Sequence, residues 1–504
     1  MSDNLYAVIR NHMADPARPF IETRDGSICT YGDVDARSAQ FAQALVDLGV
    51  EPGDRVAAQV DKTMEAILLY LGCLRAGAVY LPLNTGYTPA EIEYFLGDAE
   101  PRVAVCRPQV AEQFRAIAAT VGVPEVETLS ADGGGSILDK ATAASTSFGI
   151  VERTEDDLAA ILYTSGTTGR SKGAMLTHGN LRSNAETLAE VWRFSADDVL
   201  LHALPIFHTH GLFVATNVTL LSGGSMLFLP GFELDAVLDL LPRATAMMGV
   251  PTFYTRLLGT PAFARDLVSH MRLFVSGSAP LSPETHKAFE ARTGHAILER
   301  YGMTETNMNS SNPYDGARLA GTVGFPLPGV EIRITHPETG KALPQGDVGM
   351  IEIRGPNVFK GYWRMPEKTA AEFRDDGFFI SGDLGRFDKR GYLSIVGRDK
   401  DLIISGGYNV YPAEVEAALD ALDGVSESAV VGLPHRDFGE GVTAIVVATD
   451  TSAVSEDVVR SSLVEVLAKY KVPKRVICVD SLPRNAMGKI QKKALRETYA
   501  DTYS

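Results

Sequence analysis

The sequence predicts an α/β protein with two unequal domains. The large N-terminal domain is expected to hold mixed and largely parallel sheets with helices, followed by a β-rich subdomain, and the small C-terminal domain is expected to be α+β. Three observations support this division: helix and strand patterns alternate up to about Gly321, short strands between Gly/Pro turns follow, and the pattern changes again at residues 397–401. A chain of 504 residues with 45% hydrophobic composition is long enough for several packed units of roughly 100–200 residues each.

The first part of the chain alternates helix and strand patterns. Apolar residues recur at helical spacing over residues 31–48, a strand-like run occupies residues 55–60, and residues 66–83 predict a buried helix that leads into a strand. The last stretch is interrupted by Arg75 and falls short of the roughly 20 clean apolar residues of a membrane span. Further strand-like runs occupy residues 103–106, 158–162, 225–229 and 273–276. Such alternation is typical of a parallel sheet whose ligands bind beyond the carboxyl ends of the strands.

The end of the chain predicts a separate α+β unit of about a hundred residues. Pro412 stands where the first turn of a helix tolerates proline, and Val415, Leu419 and Leu422 form one apolar stripe. Strand-like runs at residues 428–433, 443–448 and 475–479, with a helical pattern near residues 456–469, complete the unit. We therefore expect an N-terminal domain of residues 1–398 and a C-terminal domain of residues 399–504.

Charge and cysteine content restrict the possible partners and compartments. Lys and Arg number 47 and Asp and Glu 63, so the formal charge of −16 argues against nucleic acid or an anionic membrane as the main partner. Cys29, Cys73, Cys106 and Cys478 show no metal-ligand or redox spacing, and residues 1–10 lack the apolar core of a signal peptide. We therefore expect reduced thiols, no membrane span and a cytoplasmic location.

A polar, glycine-rich loop follows the strand-like run of residues 158–162. Residues 163–173 read Tyr-Thr-Ser-Gly-Thr-Thr-Gly-Arg-Ser-Lys-Gly, and a segment with helical character is expected after them. The glycines allow backbone N–H groups to close on phosphate oxygens, and Lys172 adds a point charge. The loop is not a Walker A motif, because Ser171 stands where that motif has its second glycine. Alone, the loop fits either a polyphosphate site or a solvated turn.

Two histidines, His208 and His210, lie one residue apart. No nearby Cys, Asp or Glu completes a set of metal ligands, so we do not predict a metal site at this position. An ordinary structural role for His208 stays open.

Five motifs together resemble the acyl-adenylate-forming superfamily, which includes acyl-CoA synthetases, firefly luciferase and the adenylation domains of peptide synthetases. Besides the loop of residues 163–173, they are Tyr-Gly-Met-Thr-Glu at 301–305, Ser-Gly-Asp at 381–383, Gly-Arg-Asp-Lys at 397–400 and Pro-Arg-Asn-Ala-Met-Gly-Lys at 483–489. One such motif is weak, but five in the family's order across almost the whole chain are specific. The resemblance implies a mobile C-terminal domain and activation of a carboxylate by ATP to an acyl-AMP, with release of pyrophosphate.

The resemblance also implies a role for each motif. Glu305, together with Thr167, is implied to bind Mg²⁺. Asp383, supported by Arg398, is implied to bind the ribose hydroxyls. Lys489 is implied to bridge carboxylate and phosphate oxygens in the transition state. These residue types suit a reaction that brings two anions together. The implied catalytic residues are Lys489, His208 and Glu305. The implied ATP-binding residues are Thr164, Ser165, Gly166, Thr167, Thr168, Gly169, Lys172, Gly277, Ser278, Ala279, Tyr301, Gly302, Met303, Thr304, Asp383 and Arg398.

A closer resemblance points to the malonyl-CoA synthetase family, which acts on malonate and often methylmalonate. It is carried by residues 249–256, 275–280 and 299–309. In that family an arginine at the position of Arg256 and a serine at that of Ser278 bind the carboxylate that does not react. A guanidinium fork suits this task, since malonate is small and carries two charges. An ordinary surface role for Arg256 is the alternative.

The C-terminal segment resembles the part of acyl-CoA synthetases that receives coenzyme A. Residues 405–412 match the segment that lines the pantetheine tunnel, which implicates Gly407 and Tyr408, and Lys474 is a candidate for the CoA nucleotide. Lys400 occupies the family's hinge position. The segment around Lys489 also resembles sites acetylated in related synthetases, which implies a lysine acetyltransferase and deacetylase as partners.

The predicted activity is therefore ATP-dependent ligation of malonate, or methylmalonate, to coenzyme A, with Mg²⁺ as cofactor. The main alternative is a synthetase for another short-chain or aryl acid. Three further interpretations are a luciferase-like oxygenase, which nothing in the sequence supports, a carrier-loading module, for which no convincing carrier domain is found, and an ATP sensor without catalysis. The presence of Lys489, Glu305 and Asp383 argues against the sensor.

Overall fold

A computed structural model describes residues 2–164, 170–448, 454–485 and 488–503. Its strands are β1 (Pro19–Thr23), β2 (Ile28–Thr30), β3 (Arg55–Gln59), β4 (Val79–Pro82), β5 (Val103–Cys106), β6 (Glu125–Thr128), β7 (Leu158–Thr164), β8 (Lys172–Thr177), β9 (Val199–His202), β10 (Ser225–Phe228), β11 (Ala246–Gly249), β12 (Leu273–Ser276), β13 (Leu298–Met303), β14 (Asn307–Ser311), β15 (Phe325–Pro326), β16 (Glu331–Thr335), β17 (Gly349–Arg354), β18 (Gly361–Tyr362), β19 (Phe379–Phe387), β20 (Leu393–Arg398), β21 (Ile403–Ser405), β22 (Tyr408–Val410), β23 (Val425–His435), β24 (Gly439–Ala448) and β25 (Arg475–Val479).

Helices connect and cover these strands. They are α1 (Leu5–Arg10), α2 (Tyr31–Asp47), α3 (Met64–Arg75), α4 (Pro89–Ala99), α5 (Ala111–Val121), α6 (Ser136–Ala143), α7 (His178–Val191), α8 (Asn217–Ser222), α9 (Leu234–Leu240), α10 (Pro251–Leu258), α11 (Arg265–Val268), α12 (Pro283–Thr293), α13 (Pro366–Ala371), α14 (Pro412–Asp420), α15 (Glu456–Val466) and α16 (Lys492–Thr498). Short 3₁₀ turns occupy Pro108–Val110, Leu241–Arg243 and Asp399–Asp401, and a π-helix spans His210–Thr216.

Two large sheets form most of the N-terminal domain. One has the strand order β15-β14-β13-β12-β11-β9-β10-β1-β2, and the other has the order β18-β8-β7-β4-β3-β5-β6. In the first sheet, the central strands β13, β12, β11, β9 and β10 pair in parallel, so their carboxyl ends lie at one edge. That edge is where ligands bind in open α/β sheets.

Two smaller sheets follow along the chain. An antiparallel sheet of order β16-β17-β19-β20 forms the β-rich subdomain, and the C-terminal sheet has the order β22-β21-β24-β23 with β25 parallel to β24. The predicted fold class, a large α/β N-terminal domain with mixed sheets and a small α+β C-terminal domain, is confirmed.

Local sequence signals explain where several helices begin. Thr30 and Asp33 form a capping box at the start of α2, and a single N-cap of this kind stabilises a helix by about 1 kcal/mol. α3 buries almost every residue, including Arg75, whose guanidinium lies 2.9 Å from the Asp35 carboxylate. The apolar stretch of residues 66–83 is therefore the predicted buried helix and strand, α3 and β4.

One predicted element at the glycine-rich loop is wrong. A helix was expected directly after the loop, but β8 follows it and pairs antiparallel with β7, so that Thr164 stands opposite Lys172. The helix α7 begins only at His178. β8 contains buried apolar residues such as Ala174 and Leu176. Such a short apolar run is compatible with either a strand or a helix.

Two further observations concern apolar helices and free cysteines. Within the ranges that the structure describes, no helix is both long enough and apolar enough to cross a membrane. Cys29, Cys73 and Cys106 are buried free thiols, and Cys478 is an exposed one.

Candidate active site

Asp383 and Arg398 form an ion pair between neighbouring strands, in which only the Asp383 side chain is buried. The pairing of β19 with β20 puts the two residues opposite each other, and Arg398 Nε lies 2.8 Å from one Asp383 carboxylate oxygen. The other oxygen accepts a hydrogen bond of 2.6 Å from the Tyr301 hydroxyl. The Asp383 N–H donates to the Ser381 hydroxyl at 3.0 Å. Each carboxylate oxygen has a second lone pair, so Asp383 can accept further hydrogen bonds from a ligand.

Residues 277–279 follow β12 at the ligand-binding edge. The Gly277 N–H donates to the Gly249 carbonyl at 3.3 Å, which joins the ends of β12 and β11. Ser278 has φ of +72°, an uncommon conformation for a residue with a side chain, and its hydroxyl lies 3.2 Å from His210 Nδ1. Ser278 and Ala279 are half-buried. The structure therefore brings this segment together with the His208–His210 region.

Residues 301–304 lie at the end of β13 and in the turn that leaves it. Tyr301 is buried, while Gly302, Met303 and Thr304 are partly exposed. A Cβ on Gly302 would lie 2.0 Å from the Asn307 carbonyl oxygen, so only glycine allows β14 to pack this closely. The turn then directs Glu305 towards the end of β7.

Glu305 is a buried carboxylate with hydroxyl neighbours. One of its oxygens lies 3.1 Å from the Tyr362 hydroxyl and 3.4 Å from the Thr164 hydroxyl. Burial raises the pKa of Glu305. A carboxylate and a threonine hydroxyl at the end of a strand are oxygen ligands of the kind that Mg²⁺ uses.

Lys172 begins β8 next to these groups. Its ammonium lies 3.0 Å from a Glu372 carboxylate oxygen and 4.0 Å from the centroid of the Tyr362 ring. Five predicted ATP-binding residues lie outside the described residues, so the structure locates only the two ends of the loop. They are Ser165, Gly166, Thr167, Thr168 and Gly169.

His208 and His210 lie close to two cations. Burial, together with Arg300 and Lys489, lowers the pKa of His208 to about 4. Burial and Arg300 also lower the pKa of His210 well below its ordinary value. Both imidazoles are therefore neutral at pH 7. His208 Nδ1 and His210 Nε2 are buried without a hydrogen-bond partner among the described residues. Across those residues, no three His, Cys, Asp or Glu side chains cluster in a way that would hold a metal.

Arg300 is a functional candidate that the sequence interpretation missed. Its side chain is buried, and its Nε and Nη2 atoms have no hydrogen-bond partner among the described residues. Burial lowers the pKa of Arg300 to about 9, so the guanidinium still carries its charge at pH 7. A buried guanidinium without a carboxylate partner is rare and points to an anionic ligand. A signal was present, because Glu299 and Arg300 place two charged residues in a strand directly before Tyr301.

Arg256 lies on α10 in a different environment. Its side chain is exposed, with Cζ 5.8 Å from the centroid of the Phe232 ring. One helical turn earlier, Thr252 packs against Gly488: its hydroxyl oxygen lies 3.4 Å from the position that a Cβ on Gly488 would occupy. Arg256 thus stands near the loop that carries Lys489, but no hydrogen bond joins it to Ser278 in the described residues.

Lys489 enters the N-terminal domain's site from the C-terminal domain. Its backbone N–H is fixed by the Asn485 side chain at 2.9 Å. Desolvation of the ammonium, followed by the positive charge of Arg398, lowers the pKa of Lys489, whereas Asp383 acts in the opposite direction. Lys400 lies in the 3₁₀ turn Asp399–Asp401, directly after Arg398, and burial also lowers its pKa.

The residues predicted for coenzyme A lie on the exposed side of the C-terminal domain. Gly406 and Gly407 both have positive φ and connect β21 to β22, a geometry that favours glycine in two-residue hairpin turns. Tyr408 stacks on Tyr470 with ring centroids 4.8 Å apart, and the Lys474 ammonium lies 3.6 Å from the centroid of the Phe438 ring. The Gly406 N–H donates to the Phe438 carbonyl at 2.9 Å, so Phe438 links Lys474 to the β21–β22 turn. In the described part of the chain, no hydrogen bond or ion pair joins Gly407, Tyr408 or Lys474 to Asp383.

The site combines the hydrogen-bonded carboxylate of Asp383 and the buried carboxylate of Glu305 with two lysines. Lys172 lies at the end of the glycine-rich loop, and Lys489 comes from the small C-terminal domain. This combination defines a two-domain, adenylate-forming enzyme. A family model described as AMP-binding enzyme matches residues 9–363, and one described as AMP-binding enzyme C-terminal domain matches residues 414–489. The chain belongs to the AMP-binding enzyme family.

Three known proteins show how similar the whole chain is to this family. The structure of ATP-bound MatB from Rhodopseudomonas palustris is 60% identical, covers 100% of both chains and superposes with a TM-score of 0.98. A malonate–CoA ligase from Arabidopsis thaliana is 35% identical over 92% of this chain and 81% of its own length. A feruloyl-CoA synthase from an Amycolatopsis species is 37% identical over 94% of both. The predicted superfamily and the predicted class, an AMP-forming acid–thiol ligase, are confirmed.

Proposed function

We propose that the enzyme joins malonate to coenzyme A in two steps, through a malonyl-adenylate, with release of pyrophosphate and then AMP. The observation that carries the choice of acid is the buried, unpaired guanidinium of Arg300 beside Gly277 and Ser278. The malonate–CoA ligase of Arabidopsis thaliana, with which this chain aligns over 92% of its length, supports the same substrate.

Malonate needs a cation for the carboxylate that does not react. A guanidinium can bind it with two parallel hydrogen bonds, and the Ser278 hydroxyl can add a third. Arg300 fits this role because two of its nitrogens are unpaired and desolvated. Arg256 remains the candidate from the sequence, and its place near Gly488 supports a role at the entrance of the pocket. Methylmalonate differs by one methyl group and is a second candidate substrate.

The ATP-binding groups follow from the same geometry. Asp383 accepts hydrogen bonds from the ribose hydroxyls, while Arg398 and Tyr301 hold the carboxylate in place. The adenine lies against residues 277–279 and 301–304. The phosphates lie at the loop between Thr164 and Lys172, where the Lys172 ammonium offsets their charge.

Glu305 fits a magnesium ion. Mg²⁺ usually keeps several waters and takes one or two protein oxygens together with substrate phosphates, so a single buried carboxylate near Thr164 suffices. When bound there, the ion would supply positive charge to the phosphates. Thr167, the other proposed ligand, lies outside the described residues.

Lys489 acts in the first step and the C-terminal domain then turns. In the transition state its ammonium bridges the attacking carboxylate and the phosphate oxygens. We place the domain boundary between residues 398 and 399 and the hinge at Lys400, where the 3₁₀ turn Asp399–Asp401 separates β20 from β21. Rotation there would replace Lys489 by the face that carries Gly407 and Tyr408, with Lys474 close to the CoA nucleotide.

Neutral His208 is proposed to line the path by which the thiol of coenzyme A reaches the adenylate. Its unprotonated ring adds no positive charge that would attract the departing pyrophosphate, and its unpaired Nδ1 is available to a ligand. Acetylation of Lys489 by a lysine acetyltransferase, reversed by a deacetylase, would remove the transition-state charge and stop adenylation. We place the enzyme in the cytoplasm, which its free thiols support.

Release of AMP that depends on CoA tests the proposed substrate. Acetate, malonate, methylmalonate and succinate are compared side by side with an aryl acid such as ferulate. We expect malonate to give the highest kcat/KM. A higher value for ferulate would favour the alternative of an aryl-acid synthetase, for which the Amycolatopsis feruloyl-CoA synthase is the supporting relative.

A further inference from the structure

Glu372 forms an ion pair with Lys172, the lysine that we propose to bind phosphate. Glu372 directly follows α13, and one of its oxygens lies 3.0 Å from Lys172 Nζ. The two side chains are only 12% and 21% exposed, so the ion pair is largely protected from solvent and salt. A phosphate oxygen and this carboxylate oxygen would use the same ammonium.

The surroundings allow Lys172 to leave Glu372 at low cost. Glu372 also accepts a hydrogen bond of 2.6 Å from the Tyr362 hydroxyl and forms an ion pair of 2.9 Å with Lys368, four residues earlier. Its carboxylate therefore keeps two partners after Lys172 moves, and no buried charge is left unpaired. Lys172 has a flexible four-carbon chain with which to move.

Tyr362 connects this ion pair to the carboxylate proposed for magnesium. Its hydroxyl lies between Glu372 and Glu305, at 2.6 Å and 3.1 Å, and its ring lies under the Lys172 ammonium. β18, which contains Tyr362, pairs with β8, which begins at Lys172. The four groups thus form one continuous cluster at the base of the glycine-rich loop.

We infer that Glu372 is a positioning residue that competes with the pyrophosphate group for Lys172. This competition lowers the affinity of the enzyme for polyphosphates and so favours dissociation of pyrophosphate after adenylation. AMP does not carry the β- and γ-phosphates, so its binding is independent of this competition. This inference rests on the proposed function of Lys172 as a phosphate-binding residue.

Titration calorimetry with pyrophosphate and with AMP tests the competition. Glu372→Gln keeps the shape and removes the charge, so we expect it to tighten pyrophosphate binding roughly three- to tenfold and to leave AMP binding unchanged. Glu367→Gln, on the exposed face of α13, is the matched control and should change neither. Glu372→Asp retains the charge and should stay close to the unmodified enzyme. Thermal unfolding of each variant verifies folding.

A double-mutant cycle separates this inference from the function on which it rests. If Lys172→Gln leaves pyrophosphate binding unchanged, the proposed phosphate role of Lys172 is wrong. If Lys172→Gln weakens it but Glu372→Gln does not strengthen it, Glu372 is not a competitor. In the doubly substituted enzyme, we expect the effect of Glu372→Gln to disappear, because the shared ammonium is gone.

Discussion

The Arg300 guanidinium fills the space that a side chain at position 277 would need. A Cβ built on Gly277 would lie 2.3 Å from Arg300 Cζ, well inside any permitted contact. Gly277→Ala should therefore displace the buried guanidinium at a cost of about 1–3 kcal/mol. We expect kcat/KM for malonate to fall roughly 5- to 150-fold, with a smaller effect on ATP, whose adenine is proposed to lie against the same segment. Steady-state kinetics with each substrate varied in turn measure this. Equal effects on malonate and on ATP would contradict a role of Arg300 in binding the acid.

Arg300 and Arg256 can be ranked by their effect on substrate choice. A residue that binds the second carboxylate contributes to malonate but not to acetate, which lacks that group. We expect Arg300→Gln to cost about 2–5 kcal/mol of transition-state binding for malonate, or 30-fold to several thousand-fold in kcat/KM, with a much smaller loss for acetate.

The kinetics of Arg256→Ala are measured in the same way. The sequence interpretation predicts a similar loss of kcat/KM for malonate in this variant. Because its side chain is exposed, we expect Arg256 to contribute less than Arg300. Arg115→Ala, which alters an exposed arginine on α5, provides a control for the loss of one positive charge. An unchanged ratio of malonate to acetate activity in both site variants would contradict a dicarboxylate pocket.

Lys489→Ala should separate the two half-reactions. Its ammonium lies among Arg398, Asp383 and Lys400 and is proposed to act only in adenylation. We expect malonate-dependent exchange of pyrophosphate into ATP to be abolished, whereas supplied malonyl-adenylate is still converted to malonyl-CoA. Lys493→Ala, in the same basic stretch but with an 86% exposed side chain, should affect neither step. Equal loss of both half-reactions would argue against rotation of the domain.

The sequence predicted most of the architecture because periodicity and capping act locally. Strands β5, β12 and β25 have the predicted bounds, and α2 begins at the predicted residue, Tyr31. The loop was harder, because β8 is stabilised by pairing with β7 and β18, which a sequence window does not reveal.

The sequence predicted only part of the site, because several of its residues are brought together by tertiary packing. Motifs identify residues that lie near one another along the chain, such as Asp383 within Ser-Gly-Asp. Glu372 and Tyr362 reach the loop from about 200 residues away, as the sequence separation of the Lys172–Glu372 pair shows. Arg300 was inside a recognised motif, but its significance depends on its buried, unpaired nitrogens, which only packing reveals.

His178 is expected to make the fold sensitive to acid. This residue is fully buried at the start of α7, and its Nδ1 accepts a hydrogen bond of 3.0 Å from the Leu5 N–H. Burial, assisted by Arg153, lowers its pKa to about 4. Between that value and the unfolded value of about 6.5, only the unfolded chain binds a proton at His178, so stability falls as pH decreases through this interval.

The expected loss from His178 is about 2 kcal/mol on going from pH 7.5 to pH 5, and it levels off below the folded pKa. His178→Asn keeps an acceptor for the Leu5 N–H but does not titrate, so its stability should depend less on pH by about this amount. Urea unfolding at both pH values, followed by a signal from the N-terminal domain, measures the difference. His12→Asn alters an exposed histidine and should keep the pH dependence of the unmodified protein. If His178→Asn and His12→Asn show the same dependence, the acid sensitivity arises elsewhere, and the buried His202 and His210 become the groups to test.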